Sequence, residues 1–305
     1  MQVWKKLGLL FENKHAAYTH AALPIAKLIA GDIYTVFFTA RDEKNQSIPF
    51  SLVLDLNSLK ILDVTKLPLL SIGAPGEFDA HGIMPTCLIS RNDSLYLFYI
   101  GWNRASDVPF RNAIGLATST DGGRTFSKYS QGPLIDRGPF DPCFVASCDV
   151  LQEENKFSMW YLSAVKWEWV NNHWRHFYHI KYASSPDLIN WERKGGVAID
   201  FIDSQEYAIS TPRVLKSNSG IYRMWYSHRG SMHNQTYRIG YAESENGINW
   251  VRKDTEVILP VSDAGWDSEM ICYPFIFKHK NNLFMVYNGN GYGKTGFGLA
   301  VLENE

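Results

Sequence analysis

The sequence predicts an all-β fold: a five-bladed β-propeller with four-stranded antiparallel blades, forming a single domain over residues 1–305. Three observations predict it. A unit recurs with a period near sixty residues, strand-like patterning dominates with little helical periodicity, and the N-terminal segment resembles the strand that the last unit lacks.

The repeat is clearest in the second strand of each unit. "YTVFF", "YLFYIGW", "FSMWYLSA", "YRMWYSHRG" and "LFMVYNGNG" end their match on Phe38, Tyr99, Tyr161, Tyr226 and Tyr287, spaced by 61, 62, 65 and 61 residues. Each is preceded by a short first strand that carries a proline in most copies: "THAALPIAKLI", "FDAHGIMPTCLI", "FDPCFVASCDVL", "QEYAISTPRVL" and "WDSEMICYPFIF". A third strand, a turn and an aromatic follow in "AIGLATSTDGGRTF", "HIKYASSPDLINW" and "RIGYAESENGINW", with a truncated "GFGLAVLENE" at the end. The last unit stops before its fourth strand, and "VWKK" at Val3–Lys6 resembles the fourth strands "NWERK" and "NWVRK". The N-terminus is therefore expected to close the last blade and remove an open edge.

Composition excludes several classes. Charged residues are 20% of the chain and balance to a net charge of -1, which gives no electrostatic reason to bind nucleic acid or an anionic membrane. Cys87, Cys143, Cys148 and Cys272 form no C-x-x-C pair and are expected as free thiols in a reducing compartment. No signal-like or membrane-length apolar run is present, so a cytoplasmic location is expected. No cofactor is expected; a central-channel calcium beside Asp and His side chains is conceivable, without a ligand set that specifies it.

In a propeller the start of each first strand and the end of each second strand share one mouth of the central channel. The first-strand starts carry Asp79 with His81, Asp141, Glu206, and Asp267 with Glu269, whereas the first unit offers only Thr19 and His20. The second-strand ends carry Arg41, Trp102 with Arg104, Trp167 with Trp169, His228 with Arg229, and Asn288 with Asn290. Aromatic faces, amide and guanidinium donors, and carboxylates together suit a carbohydrate or sugar-phosphate substrate. Any single acid can equally bond backbone amides at the rim. Arg213, after Pro212, is expected either to face the channel or to pair with Glu206. Trp160 and Trp225 are expected to pack between sheets, and His173, His176 and His179 to lie in a solvated Trp-rich loop.

The turn "STDGGRTF" (Ser119–Phe126) resembles the Asp box of sialidases, but its degenerate copies at Ser185–Trp191 and Ser244–Trp250 mark it as scaffold. The repeats, the acids near each first strand, and the phrases "MWYS" and "YAESENGINW" resemble the five-bladed propeller glycoside hydrolases, families 32, 43, 62, 68 and 130. "NAIGLATSTDGG", "WYSHRG" and "YNGNGYGKTGFG" are similar to propeller proteins of bacterial surface-polysaccharide biosynthesis. The resemblance implies a glycosidase with paired carboxylates. Families 32 and 43 place an Asp on the first blade, where this chain has Thr19 or His20; Asp141 and Glu206 would then be the middle Asp and the acid. Rotating by one blade gives Asp79, Glu206 after 127 residues and Glu269 after another 63. In that set Asp79 is the nucleophile or base, Glu206 stabilises an oxocarbenium-like state and Glu269 is a buried general acid. A biosynthetic phosphorylase or transglycosidase, with basic residues such as Arg213, Arg229 and His228 holding phosphate, and a non-catalytic carbohydrate-binding propeller are the alternatives. A sialidase, with arginines gathered on an acidic sugar, ranks below them.

Overall fold

A computed structural model describes residues 1–231 and 235–304. Strand β1 (Gln2–Phe11) is followed by antiparallel meanders. The first comprises β2 (Thr19–Ala30), β3 (Ile33–Arg41), β4 (Ser47–Asp55) and β5 (Lys60–Val64). The second comprises β6 (Gly82–Arg91), β7 (Ser94–Arg104), β8 (Phe110–Ser119) and β9 (Ser127–Lys128). The third comprises β10 (Phe144–Gln152), β11 (Phe157–Val170), β12 (His173–Ser185) and β13 (Glu192–Ile199). The fourth comprises β14 (Ala208–Lys216), β15 (Tyr222–Arg229), β16 (Arg238–Ser244) and β17 (Val251–Arg252). After the short β18 (Val257–Ile258), strands β19 (Cys272–His279), β20 (Asn282–Asn288) and β21 (Phe297–Asn304) form the last meander, separated only by a one-turn helix α1 (Asn290–Gly293).

The last meander receives β1 as its fourth strand: Trp4 pairs with Leu302 and Lys6 with Ala300 in antiparallel register. Its side chain explains the placement, because Trp4 is 3% exposed and meets Trp225 edge-on at 6.3 Å. First strands pack in a cycle, β2 on β6, β6 on β10, β10 on β14, β14 on β19, and β19 back on β2. Single parallel bridges, Ser47 to Gly82 and Tyr178 to Ala208, stitch neighbouring meanders together.

Cores lie between sheets, which is why the second strands are apolar on both faces. Trp160, Tyr161, Trp225 and Tyr226 are fully buried, and the Trp160 indole donates to the Gly247 carbonyl at 2.8 Å. The Asp-box turns fix this packing. Asp121 Oδ1 accepts from the amides of Arg124 (2.9 Å) and Thr125 (3.1 Å), and Ser119 Oγ accepts from Gly123 (2.9 Å). Asp187 and Asn246 repeat the arrangement. Each turn then drives its aromatic into the preceding meander: Phe126 onto Phe37, Trp191 onto Phe98, and Trp250 onto Trp160. The Thr125 hydroxyl and amide, with Ser119, hold the Asp121 carboxyl well below its ordinary range. Asp121→Ala is expected to lower the melting temperature by roughly 2–6 °C in a thermal melt, with ligand binding unchanged.

Two features differ from the sequence expectation. The Trp-rich segment is an ordered extension of the β11/β12 hairpin, paired through Trp169–Trp174 and Val170–His173, with Asn171 and Asn172 supplying the two positive φ angles of the turn. Only His173 lies exposed at the tip; His179 is buried, with Nδ1 2.9 Å from Asp200. Alternation of Trp and His with charged residues fits a two-faced ribbon better than a loop. All four cysteines are free, and Cys87, Cys148 and Cys272 are buried.

Candidate functional site

The acids that precede the first strands lie beneath the channel mouth, inside their own sheets. Tyr99 donates to Asp79 at 3.1 Å, Tyr161 to both oxygens of Asp141 at 3.2 Å, and Tyr287 to Asp267 at 3.1 Å, each tyrosine 20 residues after its acid. A cation from the fourth strand completes each set: Lys128 at 2.7 Å, Arg193 at 2.6 Å and Lys6 at 2.7 Å. The three aspartates are at most 1% exposed. Burial first, and then the neighbouring carboxylate, raise all three phenols, which stay neutral donors.

The fourth meander varies the theme. Glu206 bonds His228 Nδ1 at 2.9 Å and Arg252 at 2.6 Å, while Tyr226 donates to Asp254 at 2.5 Å. The first meander has Phe38 at the tyrosine position, and it has no acid. Acid and phenol are absent together, which accounts for Thr19 and His20 standing where an acid was expected. Asp79, Asp141, Glu206 and Asp267, placed by the sequence at the mouth, are thus held between the second and fourth strands by phenol, imidazole or cation partners.

Burial alone would raise Glu206, but the bonds from His228 and Arg252 outweigh it and bring the carboxyl from 4.5 down to about 2. Because the folded value is depressed, this contribution is present above pH 4.5 and is lost as pH falls toward 2. Acid titration followed by circular dichroism is expected to show a loss on the order of 3 kcal/mol across that window, diminished in Glu206→Gln.

On the axis itself, every first strand carries a bulge at one repeat position, between Ala22/Ile25, Pro85/Cys87, Val145/Cys148, Ser210/Arg213 and Cys272/Phe275. Leu23, Thr211 and Tyr273 take positive φ there (53°, 53° and 56°). Their amides are capped across strands by Asn288 Oδ1, Ser147 Oγ and Ser227 Oγ at 2.7–3.0 Å. The bulges turn Leu23, Met84, Ser147, Thr211 and Tyr273 into a cavity of about 150 Å³, closed on other sides by Ile100, Phe110, Asn112, Phe144, His176, Tyr178 and Tyr237. No carboxylate is among these lining residues.

Beside the cavity stands Arg229, from the end of β15. It donates to Tyr292 Oη at 2.5 Å and lies over the rings of Tyr237 (4.6 Å), Tyr207 (5.3 Å) and Tyr292 (5.6 Å). Burial opposes its charge, yet the phenols of Tyr237, Tyr178, Tyr292 and Tyr207 outweigh burial and hold the guanidinium above its ordinary range. Tyr178 and Tyr237 share a hydrogen bond, and His176 stacks on Tyr178 at 5.1 Å. Burial, then Arg229, lowers His176 to about 4, so the imidazole is neutral. Arg229 Nε and His176 Nδ1 are buried without a partner among the described residues. The cage therefore sets a guanidinium, three phenols and a neutral imidazole with an unpartnered ring nitrogen side by side at the axial cavity.

The remaining sequence-predicted residues divide by position. His20, Arg41, His81, Trp102 and Arg104 ring the mouth over the first two meanders. His81 packs on Trp102 at 5.6 Å, and burial, Arg41 and Lys294 lower His20 to about 4. Arg213 instead pins strands together, bonding Asp149 (2.8 Å) and the Ile276 carbonyl (2.9 Å); it does not reach Glu206. Asn288 spends its amide on Leu23, Ala21 and Gly296, and Asn290 organises the Gly265–Met270 loop, so neither amide is free for a sugar. Glu269 lies on that loop, exposed rather than buried; only its backbone is engaged, by Asn290, Thr236 and Arg238. His228 opens onto a larger off-axis cavity of about 640 Å³, lined half by apolar residues such as Ile202, Ile239 and Leu259 and half by polar ones that include Asp203, Arg238 and Asp254. Its greater volume does not make it the better site, because the axial cavity gathers residues of every first strand and the unpartnered Nδ1 of His176. Asn112, Tyr178 and Tyr237, not among the sequence-predicted residues, occupy one repeat position, two residues before Ile114, Ile180 and Ile239 of the third strands. Aligning that strand across the repeats would have found them. Among the described residues, no group of three or more His, Cys, Asp or Glu side chains is arranged to hold a metal ion, and no helix is long and apolar enough to cross a membrane.

Comparison with known proteins places this geometry. No family model matches the sequence. An uncharacterized protein of Mycobacterium tuberculosis is 39% identical over 305 residues, covering 99% of each chain. The chain belongs to the family of that mycobacterial protein. A 1,2-beta-oligomannan phosphorylase of Thermoanaerobacter sp. is 33% identical over 102 residues, 33% of this chain and 34% of the relative. Among solved structures, a glycoside hydrolase superposes with TM-score 0.77 at 16% identity, covering 98% of this chain and 90% of that one. A structure from the GH130 family of mannoside phosphorylases, a family that contains glycoside hydrolases targeting beta-1,2 mannosidic linkages in Candida mannan, superposes with TM-score 0.68 at 14% identity, covering 98% and 93%. These likenesses, at 14–17% identity, show the fold: an all-β propeller like those of the solved glycoside hydrolase structures.

Proposed function

We propose that the chain is a five-bladed propeller that transfers a glycosyl unit to or from phosphate in the axial funnel. The cyclic packing of first strands supports the blade count. One observation carries the functional reading: the cavity is lined by hydroxyls and a neutral imidazole, with no carboxylate among its lining residues, and a caged guanidinium stands behind the lining residue Tyr237. Two-carboxylate hydrolysis needs a pair flanking the scissile bond; Asp79, Asp141, Glu206 and Asp267 are engaged elsewhere, which leaves the exposed Glu269 without a second carboxylate. An anion cage, in contrast, suits phosphate as the nucleophile. The phosphorylase relative, similar over a third of this chain, supports the same direction.

In this reading Arg229 and the phenols of Tyr178, Tyr237 and Tyr292 orient phosphate beneath the anomeric carbon. A phosphate oxygen forms the new C–O bond as the glycosidic C–O bond breaks. The phosphate's own proton, relayed through Glu269 at the rim, reaches the departing oxygen, and the atoms balance. Rim residues His20, Arg41, His81, Trp102 and Arg104 contact the rest of the substrate. A cytoplasmic role in building surface glycans fits a sugar phosphate as substrate.

The test is incubation with a panel of short oligosaccharides, including 1,2-β-linked manno-oligosaccharides, with and without inorganic phosphate, followed by 31P NMR. Phosphate-dependent appearance of a glycosyl phosphate is expected. Release of free sugar at equal rates without phosphate overturns the reading in favour of hydrolysis. Calorimetric binding without turnover leaves a carbohydrate-binding propeller, the second reading that a cavity without carboxylates favours.

A further inference from the structure

The β11/β12 hairpin is longer than any other second-to-third strand pair, with 14 and 13 residues. Its two faces differ in chemistry. Trp167 and Trp169 sit on one face, directly paired with His176 and Trp174, whereas Lys166, Glu168 and Arg175 occupy the other. The charged face is supported: Arg175 lies 4.6 Å over Tyr207, and Lys166 lies 4.1 Å over Phe177. The aromatic face is not covered at its outer end, where Trp169 is 60% and Trp174 38% exposed. The two indoles meet edge-to-face across the strands, which supports the hairpin, and still leave their outer surfaces open to solvent.

These rings continue the funnel wall. Phe110 of the cavity lies 5.2 Å from Trp167, Trp167 lies 6.4 Å from Trp174, and Trp174 lies 5.4 Å from Trp169. The path is unbroken from the cavity to solvent. Pyranose rings present C–H faces that suit aromatic platforms, while their hydroxyls remain in water, and a platform leading away from a sugar site receives the next units of the same chain. We infer that this face is a binding track for a linear oligosaccharide whose terminal unit occupies the funnel, so that the natural ligand is a chain of at least three sugars. The inference rests on the sugar reading of the funnel.

The experiment uses the full chain and matched two-unit and five-unit oligosaccharides of several linkages, 1,2-β-mannan and 1,4-β-glucan among them, with affinity read by calorimetry. The wild type is expected to bind five units at least tenfold more tightly than two. Trp169→Ala with Trp174→Ala is expected to abolish that gain while leaving two-unit binding unchanged, because both rings lie outside the cavity. A length dependence that survives the double substitution overturns the track but not the funnel. Absence of binding to every oligosaccharide overturns both. A concentration-dependent dimer in sedimentation velocity that the double substitution removes assigns the face to self-association and overturns the track alone.

Discussion

Replacing Arg229 by Gln is expected to lower kcat/KM for phosphate-dependent turnover by about two to three orders of magnitude, with the loss concentrated in KM for phosphate. The guanidinium contributes a charge that phenols cannot replace, and it is already oriented, with Tyr292 as acceptor at 2.5 Å and the rings of Tyr207 and Tyr237 against its faces. Arg229→Lys is expected to restore little of the activity, because a point charge on a flexible stem neither stacks between these rings nor presents a planar fork to phosphate. Initial rates against phosphate concentration give the split between KM and kcat, and a melting curve on the same preparations separates it from unfolding. An unchanged KM for phosphate in a folded Arg229→Gln protein would remove Arg229 from the anion site.

Much of the fold is legible in the sequence because a repeat exposes its own alignment. The aromatic positions from Phe38 to Tyr287, the Asp-box copies and the likeness of "VWKK" to "NWERK" locate strands that the structure pairs as expected, β1 on β21 included. The site was less legible for a physical reason. An acid at the start of a first strand can turn toward the axis or into its sheet, and nothing in a single strand's alternation distinguishes these. Partners distinguish them, and the partners lie 20 residues onward in the tyrosines and on the fourth strands in Lys128, Arg193 and Lys6. The axis was equally hidden, because a bulge shifts the side-chain phase and turns Leu23, Thr211 and Tyr273 inward, against simple alternation. Arg229 was within reach of sequence reasoning, and a third-strand alignment would have added Tyr178 and Tyr237; their closure around one guanidinium with Tyr292 was not legible, since the three tyrosines come from different meanders.

Asp79→Asn is expected to destabilise the protein rather than disable its chemistry. The carboxylate is fully buried between Lys128 at 2.7 Å and the Tyr99 hydroxyl at 3.1 Å, so neutralising it leaves the largely buried Lys128 with only the longer contact to Glu77 at 4.0 Å among the described residues. Removing one partner of a buried pair costs about 3–5 kcal/mol, which for a chain of this size corresponds to a melting temperature lower by roughly 6–20 °C. Below that temperature, turnover by the folded fraction is expected to match the wild type. A catalytic Asp79 predicts the opposite pattern, a loss of several orders of magnitude in rate with little change in stability. The first meander shows how the whole set can be replaced: Phe38 takes the tyrosine position and no acid is present. The triple substitution Asp79→Leu, Tyr99→Phe and Lys128→Met is accordingly expected to recover most of the melting temperature lost in Asp79→Asn, since a buried ion pair exchanged for apolar side chains of similar volume is close to neutral. Recovery of stability with retained turnover would establish the acid, phenol and cation as a structural brace; a triple variant that melts like the wild type yet is inactive would return Asp79 to the reaction.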